Sequence, residues 1–199
     1  MPYPIRITGD SVVLREFSMR DVDDVLEIIG DHKVTAWLSF DSRSRDEAIA
    51  MIEGAVERAQ QEPRTEYYLA VTKRGDDRVI GFTRIGFAGV KAGKLGYAVA
   101  AEEWGRGYAT DAARSLVAYA FGELALHRVS AAIGPENTPS IALVERLGFT
   151  REGVLRDHVF TNGAWRDSVL FSVLAHEWPA DGDPVRAVRE RDAHRRAGR

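Results

Sequence analysis

The stretch Leu95–Thr110 narrows the possible folds more than any other part of the chain. Leu95-Gly96-Tyr97-Ala98-Val99 reads as a short apolar strand, and Trp104-Gly105-Arg106-Gly107-Tyr108-Ala109-Thr110 as a glycine-spaced turn. A helix follows at once: Ala113, Leu116, Val117 and Ala120 recur at helical spacing, and Phe121 and Leu124 extend the stripe. The first N–H groups of a helix have no intrahelical acceptor, and the helix dipole adds positive potential there. A strand that runs through small residues into a helix therefore makes an anion site, suited to a phosphate or pyrophosphate.

Taken alone, this stretch admits other readings. Gly105-Arg106-Gly107 begins a G-x-G-x-x-G dinucleotide pattern, but Thr110 occupies the third glycine position and the turn lies mid-chain, after several strand-like segments. A nucleoside-triphosphate loop needs Gly-Lys-Ser/Thr, and no lysine lies here. The glycines could also serve only the geometry of a tight connection.

The remaining elements surround that unit in a regular order. Val12–Phe17 reads as a strand, followed by a helix carrying Val22, Val25, Leu26 and Ile29, with Ser18 as N-cap, Asp21 in its first turn and Gly30 as its stop. A short helix over His32–Leu38 and a further one carrying Ala48, Met51, Ile52 and Val56, interrupted by Gly54, come next. Tyr67–Thr72 and Val79–Ile85 form a hairpin through Gly75-Asp76-Asp77, and Lys94–Val99 leads into the turn. Arg128–Ile133, Phe149–Val154 and Ser168–Leu174 complete the strands, with a turn at Asn162-Gly163. An α+β domain over residues 1–178 is expected, with a mixed, mostly antiparallel central sheet of about seven strands flanked by helices. After Trp178 a Pro- and Asp-rich linker leads into an Arg-rich tail, residues 179–199, read as a solvated tail or loosely held helix.

Composition excludes several function classes. A net charge of −3 argues against general nucleic-acid binding, which calls for a basic surface. With no cysteine there can be no disulfide, thiolate metal site or cysteine nucleophile, which agrees with a cytoplasmic location. No run approaches the roughly 20 apolar residues of a membrane span, and the N-terminus lacks a signal-peptide core.

A second segment carries chemistry. Gly134–Ser140 sits between a strand and an amphipathic helix, with Pro139 suited to the first helical turn and Thr138 as the expected N-cap. Asn137 and Ser140 could be simple turn and helix-start residues. Together with Leu147-Gly148-Phe149, however, Asn137-x-x-Ser140 resembles the second motif of the GCN5-related N-acetyltransferases (GNAT), and the Leu95–Thr110 stretch resembles their acetyl-coenzyme A motif. The resemblance covers about Arg6–Trp178 and is nearest to the RimJ/RimL-like branch, which acetylates ribosomal-protein N-termini.

The resemblance implies the GNAT fold and a set of roles. Tyr97, Ala98 and Val99 would splay from the neighbouring strand and pair with the pantetheine amides, with a backbone N–H near Val99 polarising the acetyl carbonyl. Gly105, Arg106, Gly107, Tyr108, Ala109 and Thr110 would wrap the pyrophosphate. Asn137 would touch the pantetheine arm, and Ser140 would act near the thioester sulfur as general acid. Several relatives place a proton-donating tyrosine seven residues after this asparagine; here that position is Val144, which cannot donate.

The base that takes the amine proton is not identified by the sequence. Glu16, Asp157, His158 and Asp167 are candidates, and His158 has the most suitable intrinsic pKa. Trp37, Phe40, Trp165 and Phe171 are candidates for core or groove wall. The implied reaction is transfer of acetyl from acetyl-CoA, without a metal, to a primary amine of a peptide N-terminus or small molecule, by direct attack in a ternary complex. A CoA-binding module without catalysis and an enzyme using succinyl-CoA or another acyl-CoA are the alternatives. The expected assembly is a monomer or homodimer, with no direct nucleic-acid binding and no membrane partner.

Overall fold

The computed structural model describes residues 3–179, so the Arg-rich tail expected over residues 179–199 lies almost wholly outside the described residues. One sheet organises the rest. In chain order the elements are β1 (Arg6–Thr8), β2 (Val12–Arg15), α1 (Val22–Ile29), α2 (His32–Thr35), α3 (Arg45–Ala59), β3 (Glu66–Lys73), β4 (Val79–Phe87), β5 (Ala92–Val99), α4 (Tyr108–Gly122), β6 (Arg128–Ile133), α5 (Thr138–Arg146), β7 (Thr150–Thr161) and β8 (Ala164–Leu174). The sheet has eight strands in the order β1-β2-β3-β4-β5-β6-β8-β7, antiparallel except for the β5–β6 pair.

The mixed, mostly antiparallel architecture expected from the sequence is present, with one strand more than the seven read there. The addition is β1, three residues with a single half-buried side chain, too short for a period-two pattern to register. The turn that joins it to β2 is held by Asp111 on α4. This buried carboxylate accepts from the backbone N–H groups of Asp10, Ser11 and Val12 and from the Ser11 hydroxyl, at 2.6–3.2 Å. Burial alone would raise the Asp111 pKa; these hydrogen bonds and Arg114 bring it below the usual carboxylate value.

Each face of the sheet carries its own apolar layer. On one side α4 and α5 bring Leu116, Val117, Leu143 and Val144 against Leu14, Leu69, Ile85, Val129 and Phe171. On the other, α1 and α3 set Val25, Ile28, Ile29 and Ile52 against Phe17, Phe82 and Ala98. Helix α3 runs without a break through Gly54, and its N-terminus is fastened by a capping box between Ser44 and Glu47. The short helix at His32 ends at Thr35 instead of reaching Leu38.

The last two strands are longer than the apolar pattern indicated. β7 runs on to Thr161 and β8 starts at Ala164, so the pair meets at the expected Asn162-Gly163 turn, where both residues have positive φ. Most of β7 is solvent-exposed, so its outer half lacks the alternation that marks a half-buried strand. Among the described residues, no helix is long and apolar enough to cross a membrane.

Candidate active site

The sheet opens at its one parallel junction. β5 pairs with β6 at only three positions, Ala92↔Arg128, Gly93↔Val129 and Lys94↔Ser130, while β6 stays paired with β8 as far as Ile133 and β5 with β4 as far as Val99. From Leu95 onward β5 therefore has no strand on that side, and a wedge opens in the sheet. In an antiparallel strand successive residues point their backbone groups to opposite neighbours. Ala100 N–H donates to Ile80 on β4 at 2.9 Å, so the backbone of Val99 faces the wedge. The indole of Trp104 donates to Val99 O at 2.9 Å and holds the strand end against the following turn.

That turn needs its glycines. Gly105 and Gly107 have φ of +75° and +84°, a left-handed conformation that costs an L-residue about 1–2 kcal/mol. A Cβ at either position would meet nothing within 4 Å, so the backbone conformation demands glycine while the space above stays open. Gly107 is the N-cap of α4, which presents the unsatisfied N–H groups of its first turn to that space. Arg106 points elsewhere: its guanidinium donates at 3.0 Å to Glu103, a buried carboxylate that Lys73 also contacts.

Helix α5 forms the opposite wall. Its N-cap is Asn137 rather than Thr138: Asn137 Oδ1 accepts from Ser140 N–H at 3.2 Å, which places Pro139 one position further into the first turn. Across the wedge the Tyr97 hydroxyl donates to Ser140 O at 3.4 Å. Burial pushes the Tyr97 hydroxyl pKa up to about 12, so it stays protonated as the donor of that bond. Val144, one turn beyond Ser140, is fully buried in the core and offers no proton.

These walls enclose a cleft of about 920 Å³. Tyr97, Ala98, Val99, Gly105, Gly107, Tyr108, Ala109, Thr110, Asn137 and Ser140 all line it; of the residues the resemblance assigns to acetyl-CoA, Arg106 alone does not.

The other end of the cleft is built by side chains. Between Leu155 and Val159 the β7–β8 register slips, and Asp157 adopts a positive φ of 49°. This bulge turns His158 into the cleft, where its Nδ1 lies 2.9 Å from the hydroxyl of buried Ser168. Burial, followed by the charge of Lys94, lowers the His158 pKa below the ordinary 6.5. Facing it is the turn after α2. Arg166 donates to Ala36 O at 2.6 Å and Leu38 O at 2.7 Å, which anchors the wall formed by Trp37, Leu38 and Ser39.

The other proposed bases are elsewhere. Glu16 is buried in a two-pronged ion pair with Arg64, at 2.7 and 3.1 Å, so its oxygens are already engaged. Asp157 and Asp167 are exposed and bound to each other through Asp157 N–H at 2.9 Å. Of the aromatic candidates, Trp37 lines the cleft, Phe171 is core, Phe40 lies under Arg43, and Trp165 meets Phe160 edge-to-face at the surface. Three cations that line the cleft, Arg84, Lys94 and Arg146, escaped the sequence reading, and Arg84 and Lys94 are neighbours across β4 and β5. Their pairing depends on strand register, which the sequence does not display.

Known proteins resemble this chain over most of its length. Residues 11–150 match the family model described as an acetyltransferase (GNAT) domain. An N-acetyltransferase of Bacillus licheniformis named p20 is 31% identical over 176 residues, covering 85% of this chain and 96% of p20. The ribosomal protein uS5-alanine N-acetyltransferase of Escherichia coli is 29% identical over 115 residues, 56% of this chain and 59% of that enzyme. RimJ of Mycobacterium smegmatis, solved with CoA-disulfide, shares the fold with a TM-score of 0.80 at 24% identity, covering 96% of each chain.

Proposed function

We propose, for a chain that belongs to the GNAT acetyltransferase family, that it transfers acetyl from acetyl-CoA to the primary amine of a peptide or protein N-terminus. The observation that carries this reading is the wedge between β5 and β6, continuous with the twin-glycine turn and the α4 N-terminus. Unpartnered strand backbone suits the pantetheine amides, and an open helix start suits a pyrophosphate. Acetyl-CoA, when bound, supplies an activated acyl group on a thioester.

The chain's own residues would carry the remaining tasks. His158 accepts the proton that the ammonium group must lose before it can attack, while Ser168 fixes the ring. The Val99 N–H, facing the wedge, polarises the acetyl carbonyl. As the C–N bond forms and the C–S bond breaks, Ser140 protonates the departing sulfur and is resupplied by the second proton leaving the nitrogen; the first passes from His158 to solvent, so ammonium and thioester give amide, thiol and one released proton. Val144 takes no part. With no cysteine in the chain, direct attack needs no acyl-enzyme. Residues 1–178 form the catalytic unit, and the peptide acceptor is supported by the uS5-alanine enzyme among the relatives, which also favours a cytoplasmic location.

Thermal unfolding with and without acetyl-CoA tests the cofactor. A ligand at 100 times its Kd stabilises by about 2.7 kcal/mol, which for a chain of this size raises Tm by roughly 5–11 °C. Gly107→Glu, which sets a carboxylate at the helix start, is expected to abolish that rise. An unchanged Tm in the wild type at saturating acetyl-CoA would sink the reading, and binding without thiol release against any amine would reduce the chain to a non-catalytic module.

A further inference from the structure

At the acceptor end, the sheet face toward α1 and α3 carries two cations with too few acids. Gly86 stands directly opposite Lys94 across β4 and β5, and Arg84 directly opposite Gly96. All four residues share one face, so Arg84 and Lys94 are diagonal neighbours. A Cβ on Gly86 would lie 3.2 Å from Arg84 Nη2, so the guanidinium leans over Gly86, toward the position facing Lys94. A Cβ on Gly96 would meet nothing within 4 Å, which leaves an open floor beside them. Both cations line the cleft.

Arg84 shares its single acid with another cation, and Lys94 has none among the described residues. Glu66, on the same face of β3, accepts from Arg84 Nε at 2.6 Å but is already shared with Arg58 on α3. Lys94 has no carboxylate within ion-pair distance among the described residues, and its charge reaches His158 on β7. The one carboxylate lining the cleft, Glu103, lies at the glycine-turn end, held by Lys73 and Arg106. Like charges at diagonal sheet positions repel unless a counter-charge joins them. Among the described residues no further carboxylate supplies that counter-charge, and the cleft is open to a ligand that does.

Position tells which part of the ligand supplies it. Lys94 marks the closed end of the wedge, three residues before Tyr97 and therefore about 10 Å along the strand. His158, on the same side, is where the amine must deliver its proton. We infer that the amine acceptor carries a carboxylate close to its reacting nitrogen, and that Lys94 and Arg84 receive it. The substrate class is thus an N-terminal amine followed by an acidic residue, and polycationic amines are disfavoured. This inference rests on the acetyltransferase reading above.

The test uses the full chain with acetyl-CoA and three peptides that differ only in their second residue: Ala-Asp, Ala-Ala and Ala-Lys. Spermidine serves as a polycationic acceptor. Expected kcat/KM falls in the order Asp, Ala, Lys, with the first and last separated by about tenfold or more and spermidine lowest, a spread that narrows as salt rises. Lys94→Gln should lower kcat/KM for the Asp peptide several-fold more than for the Ala peptide. Lys94→Glu should invert the order in favour of the Lys peptide, a gain that misfolding cannot imitate.

Equal use of all three peptides, or an equal loss on all of them in Lys94→Gln, overturns the inference. So does a preference for succinyl-CoA over acetyl-CoA that disappears in Lys94→Gln, because the carboxylate would then belong to the acyl group. Acetylation of the Ala-Ala peptide without preference for the Asp peptide overturns this inference alone; intact acetyl-CoA binding with no peptide acetylated overturns the peptide acceptor as well and leaves only the cofactor site standing. Loss of acetyl-CoA binding itself overturns the reading beneath it as well.

Discussion

At the glycine-turn end of the cleft, the groups that would meet a ligand belong to the backbone of one continuous stretch, Val99–Thr110. At the acceptor end they are side chains gathered from β4, β5, β7 and the turn after α2. At the glycine turn itself both cations, Arg106 and Lys73, are absorbed by Glu103. The second end carries Arg84, whose acid Glu66 is shared with Arg58, and Lys94, which has no ion-pair partner among the described residues. A backbone site tolerates changes of side chain as long as φ and ψ persist, whereas a side-chain site can be redirected by one substitution. One cleft can thus keep a fixed cofactor while its acceptor changes.

The largest expected effect separates the two ends directly. His158→Gln should lower kcat by about 10²–10⁴-fold, the usual worth of a positioned general base, while the acetyl-CoA Kd stays unaltered. Burial, with Lys94 nearby, depresses the His158 pKa below 6.5, so the neutral, proton-accepting imidazole prevails at pH 7. The groups known to face the ring are Lys94 from β5 and Ser168 from β8. The acid limb of kcat/KM should therefore lie below pH 6.5 and vanish in the variant. The stability sign follows: the unfolded chain takes this proton more readily than the folded one, so His158 subtracts stability as the pH falls below 6.5. A pH profile unchanged in His158→Gln would remove its role.

Next in size is the acceptor wall. Arg166→Met strips the donors from Ala36 O and Leu38 O and should cost about 1–3 kcal/mol of stability. It should also raise KM for the peptide acceptor while leaving acetyl-CoA binding intact, measured by steady-state kinetics beside calorimetry. Equal weakening of both ligands would mean that the two ends are not independent.

The same contrast explains what could be read without a structure. The wedge strand, the glycine turn and the α4 start are consecutive, so their spacing shows in the sequence. The Asn137-Ser140 pair was legible for the same reason, although its cap was misassigned between adjacent polar residues. The cluster of Arg84, Lys94 and His158 depends on a cross-strand register and on a bulge in β7, and neither leaves a local pattern. Glu16 misled because a carboxylate at a strand end looks the same whether it faces a groove or, as here, is clamped by Arg64.

A smaller effect is expected at the backbone end. Gly107→Ala should weaken acetyl-CoA binding and stability by about 1–2 kcal/mol, the left-handed penalty, because an added Cβ meets nothing. Gly107→Asn should cost less, since asparagine visits that conformation more readily. An alanine variant as damaging as Gly107→Glu would mean that space, and not backbone conformation, selects the glycine.

The smallest effect asks whether the charge at Lys94 differs from an ordinary surface charge. Elsewhere on the sheet Arg128 grips both oxygens of Glu152, one at 2.8 Å, and the Ser172 hydroxyl adds a bond at 2.6 Å. Arg128 first, then Ser172, hold the Glu152 pKa at about 2. A depressed carboxylate stabilises the fold above its unfolded value near 4.5, and that contribution is lost as the pH falls through about 2. Both side chains are about one-third exposed, so solvent screening limits the contribution to under about 1 kcal/mol. Glu152→Gln should therefore lower Tm slightly at pH 7 and leave kcat/KM for every peptide unchanged. Lys94→Gln should do the reverse, sparing Tm while changing peptide preference, because a paired charge serves the fold and an unpaired one in a cleft serves its ligand.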